Sequence, residues 1–145
     1  APAHRDRLAI LSFYIHDLHY NLAVRLLNDR FGIQSRGGCS CAGTYGHYLL
    51  EVDTELSQKM TTLISHGDYS AKMGWIRISL HPTMTDREID YIAYSLAQLA
   101  SNHQTWAKDY EFCASKNVLA HTSAPLDANV RGRVKQALTC SFESL

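Results

Sequence analysis

Ile33-Gln34-Ser35-Arg36-Gly37-Gly38-Cys39-Ser40-Cys41-Ala42-Gly43-Thr44-Tyr45-Gly46-His47 is the stretch on which the reading of this chain turns. A short apolar strand ends at Arg36. It hands over to a loop that carries Gly37, Gly38 and Gly43 and holds Cys39 and Cys41. Glycine lets a backbone turn tightly or come close to a ligand. A loop of this kind presents a thiol, which a packed core cysteine would not need.

Upstream, Leu8 to Ile15 is rich in branched and aromatic residues and reads as a buried strand. Asp17 stands where an N-cap would. Leu18, Leu22 and Leu26 then mark one face of a helix, with Gly32 past its end. Downstream, Val52, Leu56, Met60, Leu63 and Ile64 recur at helical spacing and Gly67 ends the pattern. Gly74 to Leu80 alternates, which sets Arg77 and Ser79 on the face opposite Ile76 and Ile78. His81-Pro82 stops that strand. Thr85-Asp86-Arg87-Glu88 is a capping-box pattern ahead of a helix striped by Ile89, Ile92, Ala93, Leu96, Leu99 and Ala100. Trp106, Tyr110 and Phe112 dock an extended tail. Asn117 to Asn129 reads as loop, and Val130, Val134 and Leu138 suggest a short helix near 130–139. The division is a domain over 1–112 and a tail over 113–145. Strand and helix alternate three times, which fits a parallel α/β sheet and equally a two-layer α+β sandwich.

The 145 residues suffice for one core, and 46% hydrophobic with 19% charged residues is an ordinary globular composition. Formal net charge is zero, which argues against a nucleic-acid binder. No apolar run approaches the roughly 20 residues of a membrane span. The start Ala1-Pro2-Ala3-His4-Arg5-Asp6-Arg7 lacks a signal core, and the missing initiator Met reads as processing or excision from a longer chain. Four cysteines are too few for a disulfide scaffold, so a reduced, cytoplasmic protein is expected.

Several residues are candidates for chemistry. Cys41, a loop thiol near Arg36 and the histidines, could be a nucleophile or a small residue packed in a turn. Cys39, Cys41 and His47 form a C-x-C-x5-H spacing, which is not a common zinc pattern, and no metal site is expected. Arg36 and Arg77 on strands suit the grip of a carboxylate, or a surface ion pair. His16, His19 and His81 could line a site or hydrogen-bond locally. Asp86 and Glu88 fit a helix first turn.

At Arg36-Gly37-Gly38-Cys39-Ser40-Cys41-Ala42 and at Trp75-Ile76-Arg77-Ile78-Ser79-Leu80-His81-Pro82-Thr83-Met84-Thr85 the chain resembles the class V aminotransferase superfamily. The nearest branch is the cysteine desulfurases and selenocysteine lyases, and the resemblance is to their C-terminal small domain over about residues 8 to 112. Arg36, Gly38, Cys41 and Ala42 match that branch's Arg-x-Gly-x-x-Cys-Ala signature. The resemblance implies an α+β small domain of a fold-type I pyridoxal phosphate enzyme, with three or four strands and helices on one face. It implies that Arg77, with Arg36, binds the amino acid substrate's carboxylate and that Cys41 takes up sulfur or selenium. The Schiff-base lysine is not expected among Lys59, Lys72, Lys108, Lys116 and Lys135. The implied partners are a missing N-terminal large domain, a sulfur acceptor protein and a second copy in a homodimer, with the chain inactive alone. The alternatives are a class V aminotransferase or other pyridoxal lyase with a structural cysteine, and a non-enzymatic metal-binding or sulfur-carrier module.

Overall fold

The computed structural model of the chain describes residues 8–39 and 43–123. Cys41, Cys140 and the helix expected near 130–139 lie outside them. Element order is β1 (Ile10–Phe13), α1 (Tyr20–Phe31), β2 (Arg36–Gly38), α2 (Gly43–Leu49), α3 (Thr54–Ser65), β3 (Trp75–Ser79), α4 (Asp86–Trp106), a 3-10 turn (Ala107–Asp109), β4 (Tyr110–Cys113) and β5 (Val118–His121).

The sheet resolves the choice that alternation left open. Strands β1, β3 and β2 form an antiparallel sheet with β3 in the centre, and β4 pairs with β5 in a separate hairpin. The chain is α+β. Ile76 and Ile78 of β3 are buried against Ala23, Leu26 and Leu27 of α1 and Leu99 of α4. Each such aliphatic side chain contributes roughly 1.5–3 kcal/mol on burial. Strand alternation therefore turns Trp75, Arg77 and Ser79 to the opposite face, as the pattern of this stretch predicts.

The helix ends follow local chemistry. Gly32, at φ 66°, lets the chain turn out of α1 while its N–H reaches back to the Asn28 carbonyl at 3.0 Å. Thr85 and Glu88 form the capping box: the Glu88 N–H donates to Thr85 Oγ1 at 3.3 Å, and the Thr85 N–H donates to Glu88 Oε2 at 2.7 Å.

Other expectations are corrected. The first strand covers only Ile10–Phe13 and is an edge strand, not a buried one; Ile10 is exposed while Leu11 and Phe13 turn inward. Asp17 does not cap α1. It takes a positive φ of 59°, and His19 is the cap. The short second strand does not end at Arg36 but begins there. Gly37 and Gly38 are strand residues, paired with Ile76 and Trp75, and Gly43 opens α2. The stripe of α3 buries only Met60, and in α4 the buried positions are Ser95, Leu99 and His103. Residues 118–121, read as loop, form β5, so the hairpin straddles residue 112.

In β2 Gly37 leaves no room for a Cβ, whereas Gly38 takes a positive φ of 112° that favours glycine. A Cβ on Gly37 would lie 2.8 Å from Tyr20 Cδ2 and 2.9 Å from Val24 Cγ2. A Cβ on Gly74 would lie 2.7 Å from the Gly38 Cα, a backbone atom that cannot swing aside. Gly74→Ala should therefore part β2 from β3 and lower stability by roughly 1–3 kcal/mol, the usual cost of overpacking. A urea midpoint equal to that of the parent chain would contradict this close approach.

Candidate functional site

The open face of the sheet gathers both strand arginines. In the register, Arg36 lies directly opposite Arg77, and Ser12 lies opposite Arg77 on its other side. Directly paired residues share a face, so Ser12, Arg77 and Arg36 form one row. Ile10 and Ser79 are the next pair along, and Trp75 with Gly38 the pair before. No acidic side chain stands among these positions. Among the described residues the ion pairs are Arg25–Asp29, Arg30–Asp109 and Lys59–Glu55, and none involves Arg36 or Arg77. Like charges directly opposite one another in a sheet are destabilising. Two unneutralised guanidiniums side by side are suited to hold an anion.

One end of this face is covered by α2. Gly46 is the contact point: a Cβ there would be 3.2 Å from Trp75 Cζ3 and 3.5 Å from Cys39 Sγ. Between α2 and the sheet a hollow of about 330 Å³ is lined by Ser12, Tyr14, Tyr45, Leu49 and Trp75. Ser12 belongs to both this hollow and the arginine row. Sequence reading singled out neither Ser12 nor Gly46. Leu8 to Ile15 is apolar apart from Ser12, so its pattern names no polar face, and only the register puts Ser12 beside Arg77.

The remaining candidates are spent on local structure. Cys39 Sγ lies 2.9 Å from the Met73 carbonyl, and burial pushes its thiol pKa up, against the pull of Lys72. His47 Nδ1 is 2.8 Å from Ser57 Oγ, so neither member of the C-x-C-x5-H spacing that the structure describes turns toward a shared centre. Among the described residues no group of three His, Cys, Asp or Glu side chains could hold a metal ion, and no helix is long and apolar enough to cross a membrane. His81 Nδ1 bonds Thr83 Oγ1 at 2.7 Å, and His16 packs edge-on to Tyr14. Glu88 serves the capping box. Lys59 pairs with Glu55, and Lys72 lies over the Tyr69 ring.

His19 has the most constrained environment. Its Nδ1 accepts the Asn21 N–H at 3.3 Å, and its Nε2 lies 3.1 Å from the Lys72 carbonyl. That pattern requires the neutral ring with the proton on Nε2. Burial lowers its pKa below the usual 6.5, with the Lys72 carbonyl working the other way. Protonation would remove the cap and place a positive charge at a helix N-terminus.

A folded pKa below the unfolded one means the unfolded chain takes the proton first as pH falls. The stability His19 contributes is therefore complete above about pH 6.5 and is lost as pH drops below that value. The His19→Asn variant, which keeps a capping side chain, should show a shallower fall in urea midpoint between pH 7.5 and 5.5. Parallel slopes for the two proteins would refute this role. Among the two described cysteines, Cys113 is exposed and its pKa is lowered by the hydrogen bond with Ser115. Peptide mapping after brief iodoacetamide treatment should find Cys113 alkylated well before Cys39.

Comparison of the chain with protein-family models, with curated proteins and with solved structures finds no match in any of the three, so its function is argued from the geometry of this face.

Proposed function

We propose that this chain is the carboxylate-binding small domain of a pyridoxal phosphate enzyme of the class V aminotransferase type, with chemistry like that of cysteine desulfurases and selenocysteine lyases. The observation that carries the reading is the Arg77–Arg36 pair on the face of an antiparallel sheet turned away from α1 and α4, which pack on its other face. A guanidinium on a central strand is held rigidly, and its fork matches a carboxylate in two parallel hydrogen bonds. Arg77 binds the α-carboxylate of the amino acid substrate, with Arg36 beside it.

Cys39 lies at the Trp75 end of the same face, and Cys41 follows it by two residues. Cys41 is the acceptor: its thiolate forms a bond to the substrate's sulfur or selenium as the carbon–sulfur or carbon–selenium bond breaks. Cys39, with its thiol on the Met73 carbonyl, anchors the entry to that segment. Pyridoxal phosphate supplies the electron sink for this cleavage. The arginine face fits the substrate end of such a site. Of the described lysines, Lys59 lies on α3, Lys108 in the 3-10 turn and Lys116 in the β4–β5 turn, while Lys72, in the connection to β3, stands near the Cys39 thiol. The large domain that carries the cofactor lysine, the sulfur acceptor protein and a second copy of the chain are the partners this reading calls for.

In the complete enzyme, Arg77→Gln should lower kcat/KM for the amino acid substrate about 10- to 100-fold, the worth of about 1.5–3 kcal/mol for a charge-assisted hydrogen bond. Cys41→Ala should abolish sulfide and persulfide formation. Undiminished sulfur release would remove Cys41 from the mechanism and leave a transaminase or another lyase, separable by product analysis with α-keto acid acceptors. An unchanged kcat/KM in Arg77→Gln would remove the carboxylate clamp.

A further inference from the structure

We infer that the open face recognises a ligand with two acidic groups, one held by Arg77 and the other by Arg36. This rests on the proposed carboxylate clamp and narrows its ligand to sulfur- or selenium-bearing amino acids that carry a second acidic group. Cysteine, with one carboxylate, would be a weaker ligand of this face.

The argument starts from charge balance. Arg77 and Arg36 are register partners on neighbouring strands, so their Cα atoms are about 5 Å apart and their side chains leave the sheet together. A single carboxylate leaves one positive charge of the pair uncompensated. A ligand with two negative charges neutralises both. The spacing suits it: two guanidiniums rising from directly opposed positions can each take one carboxylate of a short diacid. Neutral neighbours reinforce the point, since Ser12, Ile10, Ser79, Gly38 and Trp75 around the pair offer no competing carboxylate.

A contrast elsewhere on the surface sharpens the assignment. The groove between α1, the start of β2 and β5 is also polar, and although the buried Ser35 Oγ has no partner there, its charged group is paired. Asn21 Nδ2 donates to Asn117 Oδ1 at 2.7 Å, Arg25 pairs with Asp29 at 2.7 Å, and Asn28 donates to Asp29 at 2.9 Å. That groove carries no spare charge on those residues. The arginine row does.

The test compares propionate with succinate, which differ by the second carboxylate, as probes of the 145-residue chain. Backbone amide shifts of Ser12, Arg36 and Arg77 are followed by NMR at pH 7.5. Succinate should bind at least tenfold more tightly than propionate. Arg36→Gln should bring succinate to within about twofold of propionate and weaken propionate far less than succinate, while Arg36→Lys should restore part of the difference. Arg77→Gln should weaken both ligands. Equal affinities for the two probes in the parent chain would overturn the inference, as would an Arg36→Gln effect of the same size on both, which would mean that the arginines share one carboxylate. Either result leaves the Arg77 clamp standing. Indifference of both ligands to Arg77→Gln would remove the clamp as well.

Discussion

The structure depends on one aromatic ring and the glycines that close around it. Tyr20, buried at the start of α1, lies against Gly37 and Gly38 of β2 and against Gly74 at the entry to β3. Its hydroxyl accepts a hydrogen bond from Asn117 Nδ2 at 3.2 Å, which ties in the β4–β5 hairpin. One side chain thus holds together a helix, two strands and a hairpin that are up to 97 positions apart in the chain. The ring can sit there only because two neighbouring positions, Gly37 and Gly74, lack a Cβ. Each would otherwise meet packed atoms, and interiors at crystal-like density have little slack to yield.

That packing decides what the other side of the sheet can be. With Ile76 and Ile78 committed to the helices, the alternate positions of β3 have to face away from the core. The central strand is hydrogen-bonded on both edges, to β1 and to β2, so Arg77 stands on the one strand of this sheet paired on both sides. The arginines have no ion-pair partner among the described residues, whereas much of the rest of the scaffold is satisfied locally through caps, i,i+4 ion pairs and side-chain bonds to nearby carbonyls. Their pairing works against stability and is tolerated because the hydrophobic face outweighs it.

Much of this was legible in the sequence, and the limits have physical causes. The alternation of Trp75 to Leu80 placed Arg77 on the correct face, because a central strand with one buried side writes its period directly into the residue types. The Thr85–Glu88 cap was equally plain, since its chemistry is local. The glycines misled. Gly37 and Gly38 read as loop because isolated sequence assigns glycine to turns, whereas here they answer to Tyr20, which lies 17 positions earlier in the chain than Gly37. Asp17 was the better cap by propensity, but His19 prevailed because its other nitrogen reaches Lys72, a contact no local window contains. The β4–β5 hairpin escaped because Ala114 to Asn117 lacks a strong turn signature, and Phe112 and Leu119 could as well have been stray apolar residues. The partnership of Arg36 and Arg77 required the register, which periodicity does not supply.

The uncompensated guanidiniums also shape what happens before contact. The whole chain is formally neutral, yet two arginines with no ion-pair partner among the described residues stand together on this face, and exposed charges act over about 10 Å at 0.1 M salt, farther in dilute buffer. Such a lopsided field acts as a molecular dipole. It turns this surface toward an incoming anion and raises the fraction of encounters that arrive in a productive orientation. Under the proposed function, capture speed would then be governed by two side chains, while the remainder of the molecule, with 12 Lys and Arg against 14 Asp and Glu, carries a formal charge of −2.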